Sequence, residues 1–339
     1  MFSANSLVLG VDVGGTKVAA GLVDARGQIV HKARRPMVAN RDAEDALAVV
    51  LRAADAALAL PAAREANIEA AGISAPGYID SESGAVIGAT NLPCWRGFPL
   101  ARRVAEHTGL ATRIDNDGNA AALAEAVWGS GAGYRSVFYV TIGTGIGTGM
   151  VFDGRIHHGR TGGAGEGGHV SIDYRGPRCL CGKRGCIEMY AAGPAIAARA
   201  QGALAAAGRR RSAPSKREAS LLRELACGKL KAVTAEVVGK AALEGDALAN
   251  AVLREVADHL AVWLGNIVDL LEPDVIVVGG GLGHLMASFF GHMRERMSRW
   301  SINPRSSEIP IVGAMYGAES GIAGAAALWQ EAQGRGAGV

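Results

Sequence analysis

Cys179, Cys181 and Cys186 fall inside eight residues of a 339-residue chain, and His169 lies ten residues upstream of the first of them. One His and three Cys meet the ligand count of a closed tetrahedral zinc site. Gly182 and Gly185 offer the tight turns needed to fold three sulfurs around one point. Small buried thiols that pack like Ala are the plain alternative. Against it, Leu180 alone separates Cys179 from Cys181, and glycines and charges surround the cluster. A disulfide is disfavoured, because five Cys is an odd total and no basic, apolar leader opens the chain. Both points lead us to expect a reducing, cytoplasmic setting. The same stretch, Gly165 to Glu188, also carries the carboxylates Glu166 and Glu188, a density of polar groups that packing does not explain.

Two further patterns carry chemistry. Gly14 and Gly15, and Gly143, Gly145 and Gly147, form Gly-rich turns after apolar strands, where backbone N–H groups can approach phosphate oxygens without a side chain in the way. Neither is a GxxxxGK[ST] loop and neither leads into a helix. Tight hairpins use Gly for their own geometry, so each turn alone is ambiguous. Together, each with a Thr (Thr16, Thr144) able to donate, they suggest a nucleotide held between two lobes. A third turn, Gly279, Gly280 and Gly281, follows the apolar strand Val275 to Val278, and the carboxyl end of a strand is where open α/β sheets bind ligands. Asp12 stands in the first strand, where an apolar residue would pack better; beside a phosphate turn it is placed to orient Mg²⁺ or its waters. A turn-capping Asp is the structural alternative.

The elements that must position these groups show an internal repeat. Val11 to Asp24 reads VDVGGTKVAAGLVD and Val140 to Asp153 reads VTIGTGIGTGMVFD, each a strand, a Gly-rich turn, a second strand and a closing Asp. Such a duplication implies two similar α/β halves, with chance likeness of two Gly-rich hairpins as the alternative. Apolar spacing predicts helices over about Asp42–Leu60, Leu100–Thr108, Asn119–Trp128, Ala195–Ala207, Asp246–Leu271 and Ala318–Gln333, and strands over Ile68–Ser74 and up to Asp115. A polar, weakly patterned stretch runs to about Lys231. The expected division is an N-terminal α/β lobe over 1–118, rejoined by the helix at 318–333, and a C-terminal lobe over 119–317 that contains the zinc-binding loop 165–188.

Composition excludes several classes. Hydrophobic residues make up 49% and mean hydropathy is +0.16, as in an ordinary globular protein. A net charge of +3 gives no electrostatic case for nucleic acid or an anionic membrane. The basic cluster Arg209, Arg210, Arg211, Lys216 and Arg217 sits among Ser and Pro and is read as a solvated loop. Arg52, Asp55 and Arg64 interrupt the longest Ala/Leu stretch, so no membrane span is expected.

DVGGTK at Asp12–Lys17, DNDGNAA at Asp115–Ala121, GTGIGTG at Gly143–Gly149, GEGGH at Gly165–His169 and CLCGKRGCIE at Cys179–Glu188 together resemble the ROK family of sugar kinases and sugar-responsive repressors, from about Val8 to Trp329. The resemblance implies a two-lobe actin and hexokinase-like fold, a duplicated ribonuclease H-like α/β architecture with a cleft between the lobes. It makes Asp117 the catalytic base and places Asn116, Glu166, His169 and Glu188 on the sugar hydroxyls, with Gly77 and Asn91 lining the same pocket. Asp12, Gly14, Gly15, Thr16, Lys17, Gly143, Thr144, Gly145, Gly147, Gly279 and Gly280 would hold ATP with Mg²⁺. For Asn116 and Asp117 the alternative is a cap on the following helix. His169 would join a structural Zn²⁺ to substrate, with one ring nitrogen on each. Homo-oligomers, dimers or tetramers, are also implied.

Asp115 stands where Glu is common in the family, Gly118 where Ala is common, and Thr148 where a third Gly is common, the last putting a side chain near the phosphates. A family repressor needs a DNA-binding module before the first strand, and the few residues there lead us to expect none. A sugar-binding protein without catalysis would not need Asp12, Asp117 and both turns. A zinc-ribbon nucleic-acid binder would leave the paired hairpins unexplained. The expected activity is therefore ATP-dependent phosphorylation of a hexose in carbohydrate metabolism, with glucose at its 6-hydroxyl first and N-acetylmannosamine, N-acetylglucosamine or fructose as alternatives.

Overall fold

Short apolar runs, buried almost continuously along Ser6–Val13, Lys17–Asp24, Asn67–Ala75, Ser136–Ile142 and Val275–Gly279, form two five-stranded sheets. In the computed structural model, residues 6–38, 42–61, 63, 66–209 and 221–335 are described. Arg210, Arg211, Lys216 and Arg217 of the basic cluster lie outside them.

The first sheet holds β1 (Ser6–Val13), β2 (Lys17–Asp24), β3 (Ile29–Pro36), β4 (Asn67–Ala75) and β7 (Thr112–Asn116) in the order β3-β2-β1-β4-β7. Its β1–β2 and β2–β3 pairs are antiparallel, and β1–β4 and β4–β7 are parallel. A two-stranded ribbon, β5 (Tyr78–Asp80) with β6 (Ala85–Gly88), follows β4. The second sheet repeats the plan with β8 (Ser136–Ile142), β9 (Ile146–Phe152), β10 (Arg155–Ile156), β11 (Val275–Gly279) and β12 (Ile311–Gly313), ordered β10-β9-β8-β11-β12. The repeated motif read in the sequence thus occupies the same position in both sheets, β1–β2 in one and β8–β9 in the other.

By its contacts the chain forms two compact units, Met1–Tyr139 with Thr148–Gly165 and Ala314–Val339, and Val140–Gly147 with Glu166–Gly313. The first therefore extends beyond Asn119, the boundary expected from sequence, and includes the last helix.

In the first unit α1 (Ala43–Leu58) starts on Asp42, whose side chain accepts from Asp45 N at 2.7 Å. Its Ala46, Val50, Ala53 and Ala57 are buried against Leu9, Val11 and Leu22 of the sheet. Next come α2 (Leu100–Thr108) and α3 (Asp117–Val127). The opposite face of the sheet takes the last helix, Ser320–Arg335, through Ile322 and Ala326. Backbone approaches backbone there: a Cβ at Gly72 would meet Ala325 O at 1.7 Å, and one at Gly324 would meet Ala120 of α3 at 2.4 Å. Gly72 lets the last helix settle close to the sheet, and Gly324 lets that helix pack close against α3.

The second unit contains α4 (Glu188–Ala191), α5 (Gly193–Arg209), α6 (Leu221–Leu225), α7 (Ala235–Leu243), α8 (Ala247–Leu271) and α9 (Phe290–Met297), which leaves α10 as the terminal Ser320–Arg335. The long α8 is capped by Asp246 through Ala249 N at 2.8 Å, and ends at Glu272 in a left-handed conformation before Pro273. Trp263 on α8 is buried and donates from Nε1 to Gly167 O at 3.1 Å, pinning the loop that carries His169. Among the described residues no helix is long and apolar enough to cross a membrane.

Candidate functional site

In the first unit, parallel pairing places the ends of β1, β4 and β7 side by side, with Asp12 beside Ser74 and Ser74 beside Asp115. The β1–β2 turn closes through Gly14 N donating to Lys17 O at 2.9 Å, and a Cβ at Gly15 would lie 3.0 Å from Asn91 Cβ. Thr16 and Lys17 are exposed at its tip. At the end of β7 the Asn116 side chain caps α3, accepting from Gly118 N at 2.8 Å, while its Nδ2 donates to Gly77 O at 3.1 Å. The capping role belongs to Asn116. Asp117 is the first helical residue, with Oδ1 accepting from Gly118 N at 2.9 Å. Asp12, Gly15, Gly77, Asn91, Asn116 and Asp117 are thus held in one region of one unit.

Asp12 is half-buried, and its carboxyl is pushed up from 3.8 to about 6. Desolvation is the largest cause and the Asp117 carboxylate the next, opposed by Lys17 and the Ser74 hydroxyl. The folded protein holds this proton more tightly than the unfolded chain does. Charged Asp12 therefore costs stability, a cost fully present above pH about 6 and gone below the unfolded value near 3.8. Asp12→Asn should accordingly melt higher than wild type at neutral pH, by on the order of 1 to 3 kcal/mol, with the gap closing as pH falls from about 6 toward 4. Thermal melts across that range test it; an equal gap at both ends would remove the assigned cause.

Sequence reasoning missed the support behind this region. Asp115 is buried, and its carboxylate meets His158 Nε2 at 2.6 Å and accepts from Asn119 Nδ2 at 2.9 Å and from Asn116 N at 2.7 Å. Thr148, expected near phosphates, is buried with its hydroxyl donating to Gly165 O. No local signal links Asp115 and His158, which lie 43 positions apart.

In the second unit, Gly143 N donates to Gly145 O at 2.9 Å to close the β8–β9 turn. The third turn lies against it: Leu282 N donates to Ile142 O at 2.9 Å, and Gly280, at φ +84°, leaves no room for a Cβ beside Ile142 O. Gly143, Thr144, Gly193, Thr234, Gly281 and Leu282 help line a cavity of about 500 Å³, in the range of small-molecule sites. Sequence reasoning found the glycines but not the part of the lining that comes from α5 and the start of α7.

Glu166 and His169 share one short turn, with His169 N donating to Glu166 O at 3.1 Å. Ligand atoms of His169, Cys179, Cys181 and Cys186 all lie within 4.8 Å of one another. Cys181 Sγ and Cys186 Sγ are 3.6 Å apart, and Cys179 Sγ is 3.6 Å from His169 Nδ1. Gly182 and Gly185 have φ of +92° and +69°, the left-handed turns that allow this convergence. Zn–S bonds of about 2.3 Å in a tetrahedron span edges of about this length, so the donor set and its spacing fit Zn²⁺. Burial, followed by the neighbouring thiols, pushes the Cys186 thiol up to about 12, a cost that a cation at the centre would reverse. Glu188, read from sequence as facing sugar hydroxyls, turns Oε2 to accept from Ile146 N at 3.0 Å.

Two duplicated sheets, each with a Gly-rich hairpin at the same place, define the class as the actin and hexokinase-like α/β fold. Within that class the chain belongs to the ROK family, whose model matches residues 8–332. It is 33% identical to a glucokinase of Thermotoga maritima over 96% of this chain and 97% of that one. It is 31% identical to an N-acetylmannosamine kinase of Escherichia fergusonii over 95% and 98%. A ROK family glucokinase from Streptomyces griseus, solved in complex with glucose and AMPPNP, superposes with a TM-score of 0.78 at 33% identity, covering 95% of this chain and 98% of that chain.

Proposed function

We propose that the protein transfers the terminal phosphoryl group of ATP to the 6-hydroxyl of glucose. The observation that carries the reading is the pair of carboxylates Asp12, at the end of β1 beside the Gly14–Lys17 turn, and Asp117, at the start of α3 after β7, with only β4 between the two strands. The glucokinase relatives support the same reading at about one-third identity over nearly the full chain.

Phosphoryl transfer asks the protein mainly to position groups and neutralise charge. Asp117 accepts the proton of the attacking hydroxyl. Asn116, Glu166 and His169, with Gly77 and Asn91, orient the sugar. The Gly14–Lys17 and Gly143–Gly147 turns present backbone N–H groups and the Thr16 and Thr144 hydroxyls to phosphate oxygens, and the 500 Å³ cavity beside Gly281 takes the nucleoside. Asp12 would hold Mg²⁺ or its waters, and the ion would supply charge neutralisation when bound. Zn²⁺ on His169, Cys179, Cys181 and Cys186 is structural, since all four positions of a closed site are filled by protein. Five Cys with none in a disulfide fit a reducing cytoplasm.

The N-acetylmannosamine kinase relative at 31% identity supports a second acceptor. A coupled assay of ADP release over glucose, N-acetylmannosamine, N-acetylglucosamine and fructose tests the proposal. We expect the highest kcat/KM with glucose; no sugar-dependent ADP release with any of the four would overturn the kinase reading.

A further inference from the structure

We propose that Glu188 is a positioning residue that ties the Cys/His cluster to the Gly143–Gly147 turn, so that occupancy of the cluster sets nucleotide affinity. The inference rests on the reading that this turn holds nucleotide phosphates, and adds what holds the turn.

Three contacts fix the turn, each from a segment that flanks a cluster ligand. Glu188, two residues after the buried Cys186, opens α4 and accepts from Ile146 N at 3.0 Å. Five residues on, Gly193 N donates to Gly143 O at 2.8 Å. On the other side Gly168, next to His169, lies so close that a Cβ would sit 1.9 Å from Ile146 O. A Cβ at Gly145 would lie 2.5 Å from Glu188 Oε2, so any side chain there would have to push the carboxylate aside. The other Glu188 oxygen faces Cys179 Sγ at 4.0 Å. A single carboxylate therefore spans from the cluster to the backbone of the turn, and the tip of that turn, Gly143 and Thr144, lines the 500 Å³ cavity.

The physical consequence is preorganisation. A Gly-rich turn has many accessible backbone conformations, and binding an anion through its N–H groups must freeze them. A carboxylate accepting from Ile146 N freezes part of the turn in advance. The carboxylate is held in turn by the chain around Cys186, which is ordered when four ligands close on one ion. Released, the cluster would let Glu188 and the turn relax together.

The test measures binding of Mg²⁺–AMPPNP by calorimetry, without sugar, so that sugar identity and turnover do not enter. Glu188→Ala in zinc-loaded protein should bind it about tenfold more weakly, the worth of one charge-assisted hydrogen bond. Glu188→Gln, whose amide oxygen can still accept from Ile146 N, should stay within about threefold of wild type. Stripping zinc should weaken wild type by a factor similar to Glu188→Ala, yet add little to that variant, since the two act through one link. If Glu188→Ala does not fold, Cys181→Ser at the exposed ligand should lose nucleotide affinity in step with lost zinc. Undiminished AMPPNP binding in Glu188→Ala, or in Cys181→Ser protein depleted of zinc, would overturn the proposal and confine Glu188 to the sugar. Wild-type protein that binds no AMPPNP at all would instead remove the nucleotide reading on which the proposal stands.

Discussion

Asp117→Asn should lower kcat with the preferred sugar by about 10² to 10⁴, the usual contribution of a positioned proton acceptor. Affinities for sugar and ATP should change by no more than about threefold, because an interaction made only in the transition state leaves the ground state alone. The substitution is conservative for the fold. Asn116, not Asp117, caps α3, and an Asn at 117 can still accept from Gly118 N as the carboxylate does at 2.9 Å. What it cannot do is take a proton from an attacking hydroxyl. Removing one of the two neighbouring negative charges should also let the Asp12 carboxyl fall back from about 6 toward its ordinary range. Steady-state kinetics, with sugar and nucleotide titrated separately, check the prediction. A variant that kept most of its activity would remove Asp117 from the mechanism.

The second large effect belongs to the metal. Purified protein should contain close to one zinc per chain, and Cys186→Ser should lose it. Structural zinc binding is worth about 10 kcal/mol or more in isolated modules at neutral pH. Here the loss falls on the segment from Glu166 to Glu188, whose own backbone contacts include Cys179 N to Lys183 O at 2.9 Å and Ile172 N to Gly185 O at 2.9 Å. Without the metal, the buried Cys186 and Cys179 are left as crowded thiols. The expected readouts are a lower melting temperature and faster proteolysis within that segment, with zinc measured by elemental analysis. Substantially less than one zinc per chain in undamaged wild-type protein would sink the Cys/His assignment.

Secondary structure was legible where patterning is strong. Leu100–Thr108 appears as expected, and Pro273 follows the end of α8; Asp246, read as its first residue, is instead its N-cap. The terminal helix begins at Ser320, two residues later than read, after a short 3₁₀ turn at Gly317–Glu319. Other helices, α7 and α9 among them, gave no usable signal. In α7, Gly239 interrupts the helical propensity, and a Cβ there would lie 2.4 Å from the Leu285 side chain. In α9, FGHMRERM offers only Met293 and Met297 as buried apolar residues, one helical repeat. The polar stretch before Lys231 likewise contains the short α6.

The candidate site divides along a similar line. The sequence by itself determined the cluster of His169 with Cys179, Cys181 and Cys186, the Gly-rich turns and the duplicated plan, and it offered a cap at Asn116 or Asp117 that the structure assigns to Asn116. All of these are local: ligand spacing, turn conformation and capping depend on neighbours a few residues away, and a repeat is visible as soon as two strings are compared. Tertiary structure alone decided that His158 backs Asp115, that Thr148 turns its hydroxyl to Gly165, and that Glu188 supports the Gly143–Gly147 turn. It also decided that Glu125, buried in α3, accepts from Met315 N at 3.1 Å and Tyr316 N at 2.9 Å, 190 residues on. The physical reason is that a buried polar group must find partners, but which partners depends on how sheets and helices stack. That stacking is chosen by the whole apolar core at once, and no window of sequence contains it.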